Sequence, residues 1–204
     1  MTMLPLPTTV HAVPLAQAYR LLNTGASILI ATAHAGRRDV MACAWNMALD
    51  YTPAKVAVCV DKHTLTRELL DASGQFAVAV PCMAQADMVA TVDAVSGRDV
   101  PGQDKFSAYG IAHHAATQVD APLVAGAIGW LECRVIPEPA LQLAHDLFVA
   151  EVVAAWADER AFAQGRFLPL NDTPPAWRTR HHLGAGNFVV PGLQVRGEKL
   201  APRG

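Results

Sequence analysis

The sequence contains little charge, few aromatic residues and no long hydrophobic run. Of its 204 residues, 17% are charged and 6% are aromatic, and the formal net charge is −2. With a pI near 6.4, the chain has no electrostatic feature that favours nucleic acid or an anionic membrane surface. Its Ala- and Val-rich segments are interrupted by Asp, Gly or Pro before they reach the ~18 apolar residues of a membrane-spanning helix. We therefore expect neither nucleic acid nor a membrane as a partner.

The start of the sequence also lacks the features of a secretory signal. Residues 1–15 have no basic beginning and no uninterrupted apolar run, so we expect a cytoplasmic location. An apolar content of 52% is enough for one sizeable core, which favours a single domain over residues 1–204. Within it we expect an extended N-terminal arm at 1–13 and a flexible tail at 193–204.

Neither the cysteines nor the histidines are arranged as a metal site. No cysteine belongs to a C-x-x-C pair, and apolar strand-like runs surround all of them, which predicts reduced, buried thiols. Two adjacent histidines point in opposite directions on a strand, so a His-His pair does not offer two imidazoles to one ion. We expect no metal site. The residues concerned are Cys43, Cys59, Cys82, Cys133 and the pairs His113–His114 and His181–His182.

The most informative stretch, residues 38–67, combines two strand-like runs with a polar cluster. In residues 40–45 small and bulky side chains alternate, so Ala42 and Ala44 would let a flat ring lie against the main chain. Residues 55–60 form a second run, rich in β-branched side chains, and a polar cluster follows at the start of a predicted helix. Hydroxyl groups, cations and the N–H groups of a helix start together suit a phosphate. The phosphate candidates are Thr64 and Thr66, together with either Lys62 or His63.

Most of the remaining chain is predicted to form short strands separated by turns. Many short strands with few helices favour a small barrel over a parallel α/β sheet. A loop rich in glycine and charge is expected at residues 96–106. Strands are predicted at 27–33, 75–80, 128–136 and 147–157, and helices at 14–23, 64–72 and 84–94.

Four segments in this order, MACAWNMALDYTP, VAVCVDKHTLTREL, SGRDVPGQDKF and LFVAEVVAAWAD, resemble the flavin-reductase-like FMN-binding split-barrel family. This family includes flavoredoxin and the reductase components of two-component monooxygenases, and the resemblance extends over residues 14–192. It implies a mainly β fold with a few helices, a split Greek-key β-barrel. It also implies a homodimer with the cofactor near the interface.

The same resemblance implies an FMN site. The ring of FMN would lie on the strand and its phosphate on the polar cluster, while Ser96, Gly97 and Lys105 border the flavin. His182 and Phe188 would close over the flavin of the same or the partner subunit, and His145 would lie near the nicotinamide. The strand residues expected to contact the ring are Ala42, Cys43, Ala44, Trp45 and Asn46.

Three hypotheses for function stay open. The first is a flavin reductase, in which NAD(P)H gives a hydride to FMN and a monooxygenase or another electron-acceptor protein takes the reduced flavin or its electrons. The second is a flavoredoxin-like electron carrier with little NAD(P)H turnover. The third is a barrel without cofactor, because Ala42 and Ala44 stand where relatives often have Thr and Ser. Flavin performs the hydride chemistry itself, so we expect no catalytic side-chain triad.

Overall fold

Alternating apolar residues along the chain form one antiparallel sheet of eight strands, here described from a computed structural model. The structure describes residues 4–18, 21, 27–100, 102–184 and 186–197. The strands are β1 (Val10–Ala12), β2 (Ile28–His34), β3 (Arg37–Cys43), β4 (Asn46–Tyr51), β5 (Ala54–Cys59), β6 (Gln75–Val80), β7 (His113–His114), β8 (Leu123–Val124), β9 (Gly129–Ile136), β10 (Leu147–Asp158), β11 (Phe162–Ala163), β12 (Arg166–Phe167), β13 (His181–Gly184) and β14 (Asn187–Val189).

The large sheet closes only partly on itself. Its order is β3-β2-β6-β9-β10-β5-β4, with β1 alongside β10. The chain passes directly from β3 to β4, yet in the described part of the chain these two strands end the order without pairing. Bulges between Val152 and Ala154 and between Ala48 and Asp50 increase the local bending. The predicted split barrel, mainly β with a few helices, is therefore confirmed.

Both faces of the sheet are covered, which gives the barrel an inner and an outer apolar layer. On β2, Ile28 and Ile30 belong to the inner core, whereas Leu29 belongs to the outer layer. Val89 and Phe106 pack on that outer layer from two helices. The helices are α1 (Leu15–Ala18), α2 (Leu65–Ser73), α3 (Ala86–Ala94), α4 (Lys105–Ala108) and α5 (Pro139–His145).

Helix α2 begins and ends where local sequence rules place its limits. The Thr64 hydroxyl accepts a hydrogen bond from the amide of Arg67 at 3.1 Å, a cap that contributes about 1 kcal/mol. Gly74 has a φ of +65° and closes the helix through its amide, which donates to the carbonyl of Leu70. The prediction for 64–72 is thereby confirmed, and so is the strand at 75–80.

The predicted strand at 40–45 is too long. β3 ends at Cys43, and Ala44 with Trp45 forms a bend before β4. The side-chain nitrogen Nδ2 of Asn46 donates to the Cys43 carbonyl at 3.1 Å, and the main-chain amide of Cys59 donates to the Trp45 carbonyl at 3.0 Å. These bonds hold the bend against the end of β5, so the extended backbone is interrupted there.

Other predictions differ at their edges. The loop at 96–106 contains a 3-10 turn at Gly97–Asp99 and the start of α4. Of the helix predicted at 14–23, the structure has α1 at Leu15–Ala18, and residues 19, 20, 22 and 23 lie outside the described residues. Of the arm predicted at 1–13, residues 4–13 are described, and they contribute β1 to the sheet. Within the tail, residues 198–204 lie outside the described residues, so its flexibility stays a prediction.

Three of the four cysteines are buried as predicted. Cys59 is only partly buried, because it lines a cavity at the end of β5. Among the described residues, no helix has both the length and the apolar character needed to cross a membrane.

Candidate functional site

Two adjoining cavities open where β3 and β5 end and α2 begins. The first, which we call the ring cavity, has a volume of about 290 Å³ and surrounds the bend at Ala44. The second, the helix-end cavity, has a volume of about 420 Å³ and lies at the start of α2. Met41, Ala42 and Asp61 line both. The two regions that the sequence suggested for ring and phosphate therefore lie side by side.

The lining of the ring cavity includes the small side chains of Ala42, Cys43, Ala44 and Cys59. The bend after β3 forms one wall, and Cys59 with the end of α5 forms the opposite wall. Four of the five residues predicted on the strand line it, whereas Asn46 does not and instead supports the bend. The lining residues are Met41, Ala42, Cys43, Ala44, Trp45, Cys59, Asp61, His145 and Asp146.

Both thiols in the ring cavity are protonated at neutral pH. Burial raises the pKa of Cys43 to about 12, and its Sγ donates to the carbonyl of Trp45 at 3.3 Å. Burial, with a smaller effect of the nearby Asp146 carboxylate, also raises the pKa of Cys59. Because only a thiolate is an effective nucleophile, these cysteines act as small walls of the cavity.

Arg67 holds the α5 side of the ring cavity in place. Its guanidinium donates to the Asp146 carboxylate at 2.8 Å, to the Val60 carbonyl at 3.1 Å and to the Gln142 carbonyl at 3.2 Å. Loss of solvent raises the pKa of Asp146, but the hydrogen bond and charge of Arg67 together with the backbone amide and charge of Lys62 outweigh that effect, so the pKa lies below its usual value. Asp146 has a φ of +53°, and this turn directs His145 and Asp146 to the ring cavity.

The helix-end cavity contains most of the residues predicted for the phosphate. Lys62 is the exception, because it is exposed and does not line the cavity. The predicted residues that do line it are His63, Thr64, Thr66, Ser96, Gly97 and Lys105. The sequence had left Lys62 and His63 as alternatives, and only His63 is at the cavity.

Several of these polar side chains already have partners within the protein. The Thr66 hydroxyl is fully buried and donates to the Asp39 carboxylate at 2.7 Å. Lys105 donates to the carbonyls of Val40 at 2.9 Å and Val92 at 3.0 Å, and its ammonium lies 3.8 Å from Asp39. Burial lowers the pKa of Lys105, with Asp39 acting in the opposite direction.

Asp39 is a central residue that the sequence analysis missed. It is 1% exposed, and the loop at Gly97 packs directly on it. A Cβ at position 97 would lie 2.5 Å from Asp39 Oδ1, too close for a carbon next to an oxygen, so any larger residue there would displace the Asp39 carboxylate. A carboxylate within the otherwise apolar run after Arg38 is the sequence signal that indicates such a buried polar contact.

The charge of the helix-end cavity is negative overall. Its lining contains the carboxylates of Asp39, Asp61 and Asp93 against the single ammonium of Lys105. A phosphate there would depend on neutral donors, namely the amides of the first turn of α2 and the hydroxyl of Ser96, and on His63. The Thr64 hydroxyl already donates to the Asp61 carbonyl at 2.8 Å.

His182 and Phe188 lie together but away from these cavities. They face each other across the β13–β14 hairpin with ring centroids 5.6 Å apart. Neither lines the ring cavity or the helix-end cavity of its own chain. In the described part of the chain, no group of three His, Cys, Asp or Glu residues is placed to hold a metal. The absence of a metal site stays a prediction.

An apolar cavity with protein peptide groups on one side, joined to a polar cavity at a helix start, defines the flavin-binding class of split barrels. The chain belongs to the flavin reductase like family, whose domain model matches residues 19–178. It is 40% identical over 186 residues to the uncharacterised protein YddH of Escherichia coli (strain K12), covering 90% of this chain and 95% of that relative.

Solved structures agree with this family. The FMN-binding domain of a flavin reductases-like enzyme from Shewanella baltica OS155 is 39% identical, with a TM-score of 0.88, and covers 93% of this chain and 97% of its own. Flavoredoxin of Desulfovibrio vulgaris (Miyazaki F) has a TM-score of 0.70 at 20% identity, covers 97% of this chain and 96% of its own, and is similar in fold.

Proposed function

We propose that the protein binds FMN across the ring cavity and the helix-end cavity and acts as an NAD(P)H:flavin reductase. The observation that carries this proposal is that the two cavities adjoin and share Met41, Ala42 and Asp61 in their lining. The helix-end cavity, at about 420 Å³, lies in the usual range of cofactor pockets, ~300–1,000 Å³, and the ring cavity, at about 290 Å³, lies at its lower limit. An apolar end and a polar end match the flat ring and the ribityl phosphate of FMN.

FMN supplies the ring that accepts a hydride, and the chain supplies its position and its electrostatic surroundings. Peptide groups from Ala42 to Asn46 are fixed by the bonds of the bend. As preorganised dipoles, they would stabilise negative charge that develops on the ring. Ala42 and Ala44 keep side chains away from those peptide groups, while the protonated Cys43 and Cys59 limit the cavity without reacting.

On the opposite side, Arg67 orients the end of α5. This arrangement would keep His145 and Asp146 at the edge where a nicotinamide approaches. At the phosphate end we assign the amides of the first turn of α2, with Ser96 and His63 as side-chain donors. Thr66 would act through Asp39, since one hydroxyl proton cannot serve both the carboxylate and a phosphate.

A visible spectrum followed by anaerobic addition of NADH and NADPH tests the function. A yellow protein that either nucleotide bleaches rapidly is the expected result. A yellow protein that neither bleaches would instead indicate the electron carrier, and a colourless protein unchanged by added FMN would indicate a barrel without cofactor. A cytoplasmic location accompanies the proposed function, because NAD(P)H and reduced thiols belong to that compartment.

We also propose that two copies pair through the exposed side of β4. An apolar strip on an edge strand is a common protein contact surface. It begins at the ring cavity, because Trp45 belongs to both. Its members are Trp45, Met47, Leu49 and Tyr51, which are 77%, 55%, 48% and 66% exposed. Since His182 and Phe188 do not line the cavities of their own chain, we expect them to approach the ring cavity of the partner subunit.

Substituting both Met47 and Leu49 with Glu tests this pairing. We expect a dimeric wild-type protein and a monomeric variant in light scattering after gel filtration, because two charges would be buried at the contact. Leu143→Glu is the control, since Leu143 is 84% exposed and lies on α5 and not on β4. A variant that keeps the wild-type molar mass would exclude this face.

A further inference from the structure

A further cavity lies in the segment that follows β10. It has a volume of about 400 Å³, and its lining comes from the β11–β12 hairpin, the 3-10 turn at Pro175–Trp177, the start of β13 and residues 191–194. We call it the C-terminal cavity. It shares no lining residue with the ring cavity or the helix-end cavity, so a ligand bound there would not occupy the proposed flavin site.

Aromatic and aliphatic residues make up much of the lining, among them Phe167, Leu170 and Trp177. The Trp177 ring is fixed by Arg160, whose guanidinium stacks over it at 3.8 Å from the ring centroid. Arg160 is itself paired with Asp158 at 2.6 Å, so this stack contributes no net charge. A fixed, flat aromatic surface of this kind suits a planar apolar molecule.

Arg178 joins three loop segments around the cavity. Its Nε donates to the carbonyl of Thr173 at 3.2 Å, its Nη1 to that of Pro191 at 3.3 Å and its Nη2 to that of Leu170 at 2.8 Å. The side-chain carbonyl of Gln194 accepts a further bond from the Leu170 amide at 2.9 Å. These contacts shape the cavity without help from a ligand.

The charge of Arg178 is not neutralised by these contacts. Its three partners are neutral carbonyls, and it forms no ion pair with any residue that the structure describes. The described lining also contains no Asp or Glu. Three of the five guanidinium N–H groups are engaged, so two remain for a ligand. A half-buried cation without a counter-ion favours an anionic ligand.

His181 adds a second polar group to the lining. Its neighbour His182 does not line the cavity, because successive side chains of β13 point to opposite sides. The cavity therefore combines an apolar wall, one unneutralised guanidinium and one imidazole.

We propose that the C-terminal cavity binds a small carboxylic acid with a planar apolar body, with the carboxylate on Arg178 and the ring against Trp177. A planar carboxylate matches the guanidinium, from which it can accept two hydrogen bonds. The site is separate from the flavin, so the acid and FMN would be bound at the same time. This inference does not depend on the proposed function.

Calorimetric titration of the full chain with 2-naphthoate, in the presence of excess FMN, tests the site. The matched ligand is 2-naphthamide, which has the same shape and no charge. We expect the carboxylate to bind at least about tenfold more tightly than the amide, the factor that a charge-assisted hydrogen bond adds over a neutral one. Omitting FMN should leave both affinities unchanged.

Leu193→Glu places a carboxylate at the cavity without disturbing the fold, because Leu193 lines the cavity and is 89% exposed. Repulsion between like charges should weaken 2-naphthoate binding by about tenfold. Val195→Glu is the matched control, since Val195 is 77% exposed in the same segment and does not line the cavity. It adds the same charge and should bind 2-naphthoate as wild type does.

A pair of substitutions at Arg178 separates its charge from its loop contacts. Both Arg178→Met and Arg178→Lys remove the three-way contact of the guanidinium, but only Arg178→Lys keeps a cation. We expect the preference for 2-naphthoate over 2-naphthamide to disappear in Arg178→Met and to persist in Arg178→Lys.

Equal affinities of wild type for the two ligands, or no binding of either up to its solubility limit, would overturn the inference. Equal effects of Leu193→Glu and Val195→Glu would overturn it as well. Displacement of 2-naphthoate by FMN would place the acid in the ring cavity, which overturns this inference and leaves the proposed function intact. A protein that binds 2-naphthoate as expected but no FMN would overturn only the proposed function.

Discussion

The ring cavity and the helix-end cavity adjoin each other, yet they are built in different ways. The ring cavity is lined by the bend after β3, by small side chains and by neutral thiols, and few polar side chains line it. The helix-end cavity is made of polar side chains that already bond to one another around Asp39. At the bend, substitutions by other small residues should therefore have little effect on stability. In the buried polar network around Asp39, most substitutions should lower stability, because they leave a buried polar group without its partner.

The largest effect is expected when the Asp39 network loses its cation. Lys105→Met would leave the Asp39 carboxylate buried without its ammonium partner, and we expect the free energy of unfolding to fall by about 3 kcal/mol. Chemical denaturation measures this change. Lys62→Met, at an exposed position, is the control and should leave stability within about 0.5 kcal/mol of wild type.

Restoring neutrality should recover part of that loss. In the double variant Asp39→Asn/Lys105→Met, no buried charge remains unpaired, so stability should exceed that of Lys105→Met alone. Strictly additive losses of the two single variants would show that Asp39 and Lys105 do not interact.

The ring cavity should respond in the opposite manner, with binding lost and stability kept. Ala44→Leu places a large side chain on the exposed bend, where it would exclude a flat ring from the main chain. We expect FMN affinity to fall by at least about tenfold, roughly 1.4 kcal/mol, in a fluorescence titration. The control is Ala94→Leu, because Ala94 is exposed and lines neither cavity. If Ala44→Leu still bound FMN as tightly as wild type, the ring would not lie at Ala44.

A smaller effect on both properties is expected at Thr66. Thr66→Val keeps the shape of the side chain but removes the hydrogen bond to Asp39, which should lower the free energy of unfolding by about 1–2 kcal/mol. FMN binding should weaken as well, without loss of the fold. Thr66→Ser retains the hydroxyl and should keep both properties. Unchanged FMN affinity in Thr66→Val would exclude Thr66 and its Asp39 contact from the phosphate end.

The smallest effect concerns the thiols of the ring cavity. Because burial raises the pKa of Cys43 to about 12, its thiolate is a minute fraction at pH 8. Iodoacetamide should therefore modify Cys43 far more slowly than it modifies glutathione, with a rate that increases up to about pH 12. Mass spectrometry of the digested protein follows the reaction, and rapid labelling at pH 8 would contradict a buried, neutral thiol.

The parts of the fold that were predicted correctly depend on local chemistry. The cap at Thr64, the left-handed Gly74 and the run before Pro81 mark the limits of α2 and β6, because caps and turn residues act on their own neighbours. The bend at Ala44 was missed, since it depends on the bond from Cys59 to the Trp45 carbonyl, a partner far along the chain.

The same distinction applies to the site. The residue types around 42–46 and 61–66 were enough to suggest a ring end and a phosphate end, because small side chains and a helix start have these properties wherever they lie. Other contacts join separate segments of the chain. The Thr66 hydroxyl donates its hydrogen bond to Asp39, and Glu68 forms ion pairs with two arginines. Such contacts depend on how β3, α2 and the loop before α4 pack together, and only the tertiary structure decides them.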